Sequence, residues 1–310
     1  MNESKPSFKS TLSKRVRENT FAYALLLPSF IFLALFTFYP IIKSIKLSFY
    51  SGPVTRLQFA GLDQYKSVLT DALAGKVLLN NALFMIGTVP IGLLLAMWLA
   101  IWLNKKLKGS AILRASFFYP VVVPLIAVAN IWLFIYTSKY GLADRLMSVL
   151  GAHGPNWLGS STVVMIALII MIIWKDVGFY MIFYLAGLQN LPTDVYEAAM
   201  LEGAKPFQVF RNITFPLMMP TTLFVGIVAI TNSFKNVDHL YIMTKGGPDN
   251  ASNLLLYYIY EVAFTNWDLG KAAVLTLILI FILLVITAFN FFYLDKKFIT
   301  KEGRLKWEKQ

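Results

Sequence analysis

Lys175 and Asp176 are adjacent charged residues near the middle of an apolar segment that runs roughly from 162 to 188. A charge inside a hydrocarbon layer costs about 2.5–3.5 kcal/mol on insertion scales, so each side chain needs a partner or water. Adjacent helical residues point about 100° apart, so these two cannot easily neutralise each other. The pair predicts either a hydrated cavity or an ion pair or hydrogen-bond network between helices at a subunit interface.

Enzymatic chemistry has little support in the sequence. There is no cysteine, which excludes disulfides, thiol catalysis and zinc–thiolate sites. No G-x-x-x-x-G-K-[ST] phosphate loop occurs, so the chain is not expected to bind and hydrolyse ATP, and H-E-x-x-H and G-x-S-x-G are also missing. His153 and His239 are expected to be ordinary residues in or near loops. We therefore predict no catalytic residue, no metal site and no cofactor in this chain.

The elements that must position the two charges are membrane-spanning helices. Of the 310 residues 57% are hydrophobic and only 14% are charged, which is less charge than a soluble domain of this length carries. A transmembrane helix needs about 20 apolar residues. Uncharged runs of this length cover residues 21–42, 77–103, 115–138, 213–234 and 272–294. With the segment around Lys175, the sequence predicts an all-α polytopic membrane protein with six transmembrane helices.

The basic residues predict the orientation of these helices. Seventeen lysines and arginines flank the segments on the side of both termini, and ten flank them on the other side. Because the cytoplasmic side carries the excess, both termini are expected in the cytoplasm, and the net charge of +12 needs no nucleic acid to explain it. The expected organisation is a basic tail (1–20), a transmembrane domain (21–295) and a second tail (296–310).

Residues 191–220 form a polar, helix-breaking passage between two apolar segments. Asp194 with Glu197 three residues later predicts a capping box that starts a short helix. Gly203 is suited to end that helix in a left-handed conformation, and Pro206 is suited to the first position of a second short helix. Apolar side chains are left over on both helices: Tyr196, Met200, Phe207 and Phe210. The pattern predicts a helical hairpin that docks onto something outside the membrane; a surface hairpin with no partner is the alternative.

This passage resembles the EAA loop of permease subunits in binding-protein-dependent ABC importers. The matching residues are Glu197, Ala198, Ala199, Gly203, Ile213 and Pro216. Two positions depart mildly from the family pattern, Glu202 where Asp is usual and Phe215 where Leu is usual. The resemblance implies that the 191–216 segment, including Phe207, couples the chain to a separate ATPase that holds ATP and magnesium.

A second passage resembles the carbohydrate-type branch of the same family, with maltose and glycerol-phosphate permeases. It comprises the turn Lys245-Gly246-Gly247-Pro248, the helix-forming run 254–264 and Gly270-Lys271-Ala272-Ala273. The resemblance implies the transmembrane domain of a type I ABC importer in a bacterial inner membrane. Its implied partners are a second homologous permease, two ATP-binding cassette subunits, an extracytoplasmic solute-binding protein and the lipid bilayer, with a sugar or related polyol as substrate.

The resemblance also implies a substrate pathway. The maltose-type members contact substrate at positions that match Trp174, Lys175, Asp176, Phe179, Ser233 and Asn236. Aromatic platforms beside hydroxyl and amide groups suit a sugar, whereas Trp174 and Phe179 alone would be read as helix packing. An ion-coupled secondary transporter or channel using Lys175 and Asp176 is the alternative, and it predicts inverted repeats, which the sequence does not show. A membrane anchor for an enzyme complex would not need the hairpin.

Overall fold

The structure is a computed structural model that describes Thr20 and residues 23–52, 54–105 and 109–290. The predicted tails therefore lie outside the described residues, apart from Thr20. In chain order the helices are α1 (Tyr23–Leu47), α2 (Asp63–Thr70), α3 (Ala72–Leu103), α4 (Ser110–Val122), α5 (Leu125–Ile135), α6 (Leu142–Val149), α7 (Val164–Gln189), α8 (Thr193–Leu201), α9 (Pro206–Leu217), α10 (Met219–Lys235), α11 (Asp238–Met243), α12 (Leu255–Tyr260) and α13 (Leu269–Phe289).

Few other elements occur among the described residues. Two short antiparallel strands, β1 (Tyr50–Ser51) and β2 (Gln58–Phe59), flank the 3₁₀ turn Val54–Arg56. π-Helical turns occupy Ala34–Phe38 within α1 and Phe210–Thr214 within α9, and another, Glu261–Thr265, continues α12. The predicted all-α fold class is confirmed.

Among the described residues, four helices are long and apolar enough to cross a membrane unbroken: α1, α3, α7 and α13. Two further spans are bent: α4 and α5 meet at 99°, and α9 and the helix that follows it meet at 67°. Counting each bent pair as one span gives the six predicted. The bends in the third and fifth spans could not be read from the lengths of the apolar runs, because run length carries no information on the direction of the backbone.

Proline positions explain both bends. Val123, between α4 and α5, is extended at φ −70° and ψ 130°, which is the conformation that a following proline imposes. Pro124 also has no N–H with which to continue the helix. The second bend, at Met218, has Pro216 before it and Pro220 after it. Each bend therefore follows from a residue that cannot donate a helical hydrogen bond.

The core is built around the packed pair α3 and α7, with α10 and α4 beside them. α4 approaches α7 very closely at Gly178, where a Cβ atom would lie 2.0 Å from the carbonyl oxygen of Phe117. Only glycine permits this approach, so α7 is held directly against the backbone of α4. By contrast, the apolar window of α1 is entirely unburied within the chain.

Candidate functional site

The start of α8 differs from the predicted capping box. Pro192 occupies the N-cap position, at φ −65° and ψ 127°, and no side chain caps the helix. Asp194 is the second helical residue instead, where its charge still favours the positive N-terminal end of the helix. The capping-box prediction was wrong because the helix begins at Thr193, directly after the proline. Glu197 is left exposed, free of any capping role.

The turn between α8 and α9 follows the sequence prediction. Gly203 has φ +71°, and its N–H donates to the carbonyl of Met200 at 3.1 Å. The next N–H, of Ala204, donates to the carbonyl of Ala199 at 3.0 Å, which completes a Schellman motif. Pro206 is the first residue of α9 as predicted. The hairpin geometry is therefore fixed by the backbone at Gly203.

The hairpin presents apolar side chains to its surroundings. Leu201 is 90% exposed and Phe207 is 69% exposed, and Ala198 and Pro216 are exposed as well. Ala199 is buried and Ile213 is half-buried, so these two face the body of the protein. Large exposed apolar residues on a short helical hairpin are typical of an interaction surface.

The hairpin also contacts the ends of the long helices. The hydroxyls of Tyr196 and Thr214 lie 3.1 Å apart and join α8 to α9. Both residues line a groove with Asn104, at the end of α3, and Gln189, at the end of α7. The hairpin therefore lies beside the ends of the central pair α3 and α7.

Lys175 donates hydrogen bonds to the backbone at the bend between α4 and α5. Its side chain is 8% exposed, and its Nζ donates to the carbonyl oxygens of Pro120 at 3.0 Å and Val121 at 3.1 Å. In an unbroken helix the carbonyl of Pro120 would accept from the residue four positions on. That residue is Pro124, which has no N–H. Lys175 supplies the missing donor, and its hydrogen bonds join α7 to α4 within the chain.

Asp176 faces a small cavity between α3, α7 and α10. The cavity is lined by Asp176 and Tyr180 of α7, Thr88 of α3 and Ser233 of α10. It has space for about one water molecule, so a sugar does not fit in this conformation. Ser233 is buried, and its hydroxyl donates to the carbonyl of Ile230 at 2.7 Å. The structure therefore brings together two of the six residues predicted to contact substrate.

The remaining predicted residues lie elsewhere. Trp174 packs edge-on against Trp132 of α5, with ring centroids 5.7 Å apart. Phe179 packs edge-on against Phe183, with centroids 5.0 Å apart. Asn236 is half-buried at the C-cap of α10. Trp174, Phe179 and Asn236 do not line the Asp176 cavity. The Trp174 ring packs against another helix, whereas the Phe179 ring contacts a ring of its own helix.

The sequence profile of the family described as "Binding-protein-dependent transport system inner membrane component" matches residues 89–299. The chain belongs to this family. It is accordingly a multi-pass membrane permease of a binding-protein-dependent importer, and it is not an enzyme. The ion-coupled alternative is not favoured.

Similar proteins cover nearly the whole permease. The trehalose/maltose transport system permease protein of Thermococcus litoralis is 30% identical over 286 residues, covering 92% of this chain and 96% of that protein. The sulfoquinovosyl glycerol transport system permease protein of Agrobacterium fabrum is 30% identical over 270 residues, covering 86% and 88%. A bacterial alginate ABC transporter, solved with its alginate pentasaccharide-bound periplasmic protein, has a chain of the same fold, with TM-score 0.81, 20% identity and coverage of 93% and 98%.

Sequence reasoning missed a polar cluster in the permease at the end remote from Glu197. Asn80 of α3 donates to the carbonyls of Asn250 at 2.8 Å and Asn253 at 3.0 Å. The side-chain oxygen of Asn81 accepts from the Leu255 N–H at 3.1 Å. These two adjacent amides interrupt an apolar run, which was a visible signal. They tie the 244–254 loop to α3.

An ion pair lies in the same region. The Nζ of Lys271 contacts the carboxylate of Asp71 at 2.7 Å, and the hydroxyl of Tyr258 donates to that carboxylate at 3.1 Å. Burial acts to raise the pKa of Asp71, but the hydrogen bonds from Lys271, the Leu73 N–H and Tyr258 outweigh it and lower the pKa. The carboxylate is therefore held ionised where it joins α3, α12 and α13.

Proposed function

We propose that this permease forms half of the translocation pathway of an ATP-driven importer for a neutral sugar or polyol. Separate ATPase subunits would dock on the 191–216 segment, with Glu197, Ala198, Ala199, Gly203, Phe207, Ile213 and Pro216 as the coupling residues. The observation that carries the proposal is the hairpin itself. Its turn is fixed at Gly203, its apolar residues are exposed, and Phe210 of α9 packs against the core cluster that contains Leu103 of α3 and Leu188 of α7.

The substrate class is supported by the relatives and by the cavity. Permeases similar to this chain are named for trehalose and maltose and for sulfoquinovosyl glycerol, so both neutral and anionic substrates occur among them. Lys175, the residue that could have favoured an anion, is occupied by two carbonyls. Asp176 is the charged residue that lines the cavity, and a carboxylate there disfavours an anionic ligand.

The pathway is expected to widen during transport. Asp176 and Ser233 line the present cavity, and Trp174, Phe179 and Asn236 would join the path only in another conformation or beside the second permease. ATP binding would close the paired ATPases, and the hairpin would carry that movement to α3 and α7. The energy would come from hydrolysis of ATP, which the partner subunits would bind together with magnesium.

Purification of the importer from its native membrane tests the proposal. A second permease, two ATPase subunits and the solute-binding protein are expected to accompany this chain. In proteoliposomes the complex should import a neutral sugar only when ATP and the loaded binding protein are both present. Import driven by an ion gradient without ATP, or purification without any ATPase, would contradict the proposal.

Membrane orientation can be tested separately, because the chain has no native cysteine. We expect Ala152→Cys, exposed beyond α6, to react with a membrane-impermeant maleimide added to intact cells. Lys205→Cys, exposed between α8 and α9, should react only after the membrane is opened. The excess of basic residues on the side of position 205 is the reason. Reaction of Lys205→Cys in intact cells would reverse the proposed topology.

A further inference from the structure

An aromatic cleft lies at the end of the permease remote from Glu197. α11 and α12 form its walls, with Tyr241 on one side and Tyr257, Tyr260 and Phe264 on the other, and Asp238 also lines it. The cleft has a volume of about 460 Å³, which is within the range of about 300–1,000 Å³ found for small-molecule sites. The volume admits a mono- or disaccharide, which the Asp176 cavity does not.

The aromatic rings of the cleft are close together and accessible. Tyr241 and Tyr260 are perpendicular, with centroids 5.9 Å apart, and Tyr260 and Phe264 have centroids 5.4 Å apart. Tyr241 is 51% exposed and Tyr260 is 41% exposed. Phe264 is exposed as well, so three neighbouring rings offer surface to a ligand.

The cleft combines apolar surface with a few polar groups. Its lining is mainly the aromatic rings and Val237, Leu256 and Ile259. The polar groups are the tyrosine hydroxyls and the exposed carboxylate of Asp238. A ligand with apolar faces and hydroxyl groups satisfies both the rings and the carboxylate.

The cleft and the Asp176 cavity are lined by residues that are close together in the sequence. Ser233 lines the Asp176 cavity, and Val237, four residues later, lines the cleft. The backbone turns between them at Asn236, where ψ is 103°.

We propose that this cleft is an entry subsite that holds a ring of the incoming sugar before it reaches the Asp176 cavity, an inference that rests on the proposed function. The apolar C–H face of the ring packs on Tyr241 and Tyr260, and its hydroxyls donate to the carboxylate of Asp238. An entry subsite of this kind retains the sugar after the binding protein opens, so that ATP hydrolysis is not spent without transport.

The test measures sugar imported per ATP hydrolysed by the complete importer in proteoliposomes, with its binding protein and with glucose, maltose, trehalose and lactose as probes. Tyr241→Ala and Tyr260→Ala are each expected to lower this ratio about tenfold, since truncating a central aromatic contact commonly costs that much. Stimulated ATP hydrolysis should stay near the wild-type rate. Tyr241→Phe, which keeps the ring, should transport normally.

Tyr140→Ala is the matched control, because Tyr140 is a 77% exposed tyrosine in another loop outside the cleft, and it should leave the ratio unchanged. An unchanged ratio in both cleft variants would overturn the inference. So would loss of the second permease from the purified Tyr260→Ala complex, since the cleft would then be a subunit interface. Transport of none of the probes by the wild-type importer would contradict the proposed function. Transport by the wild type with an unchanged ratio in both cleft variants would contradict the entry subsite alone.

Discussion

Replacing Gly203 with valine should reduce sugar uptake below about a tenth of the wild-type level, because a left-handed conformation costs a non-glycine residue roughly 1–2 kcal/mol, and a β-branched one more. A Cβ at this position meets no atom within 4 Å, so the loss would come from backbone strain and not from a clash. The strained turn would change the angle between α8 and α9 and weaken docking of the ATPase. Uptake and co-purification of the ATPase are the measurements.

Gly151→Val is a closely matched control. Gly151 has φ +77°, nothing lies within 4 Å of its Cβ position, and it closes a Schellman motif after α6. Its strain should therefore be similar, but it lies in a loop at the other end of the molecule. Normal ATPase co-purification in both variants, or equal loss of uptake in both, would show that the 191–216 turn has no special role in coupling.

The parts of the fold that the sequence predicted are those fixed by local chemistry. Apolar runs long enough to cross a membrane became helices, and Gly203 and Pro206 took the backbone roles that only those residues fill well. The prediction of a capping box at Asp194 was wrong because several nearby residues can start a helix, and Pro192 occupies the N-cap position. Local signals therefore locate a turn more reliably than the first residue of a helix.

The candidate site was less predictable because it depends on which helices meet. The sequence showed that Lys175 and Asp176 must diverge, but which side of α7 faces α4 is decided by the close contact at Gly178. The acceptors of Lys175 lie 55 and 54 residues away in the sequence. Pro124 did indicate that the Pro120 carbonyl lacks its helical donor. The sequence around Pro124 does not indicate, however, that a lysine from another helix replaces that donor.

Mutation of the neighbouring residues Lys175 and Asp176 should therefore affect different properties. A change at Lys175 should lower stability, and a change at Asp176 should alter transport. Lys175→Met removes both donors from the carbonyls of Pro120 and Val121, and a buried polar group without a partner costs about 1–3 kcal/mol. The purified permease should melt about 5 °C or more below the wild type, given the usual dependence of melting temperature on stability. Lys175→Arg, which keeps N–H donors, should recover part of this loss.

Asp176→Asn is expected to leave the melting temperature nearly unchanged, because Asp176 lines a cavity and the amide has a similar shape. Its effect should appear in transport, as lower uptake or an altered preference among sugars, since an amide offers one acceptor and donors where the carboxylate offers two acceptors. Thermal unfolding and proteoliposome uptake, measured on the same preparations, separate the two roles. If the Lys175→Met permease were as stable as the wild type but impaired in uptake, Lys175 would act in the substrate pathway and would not be needed to stabilise the bend.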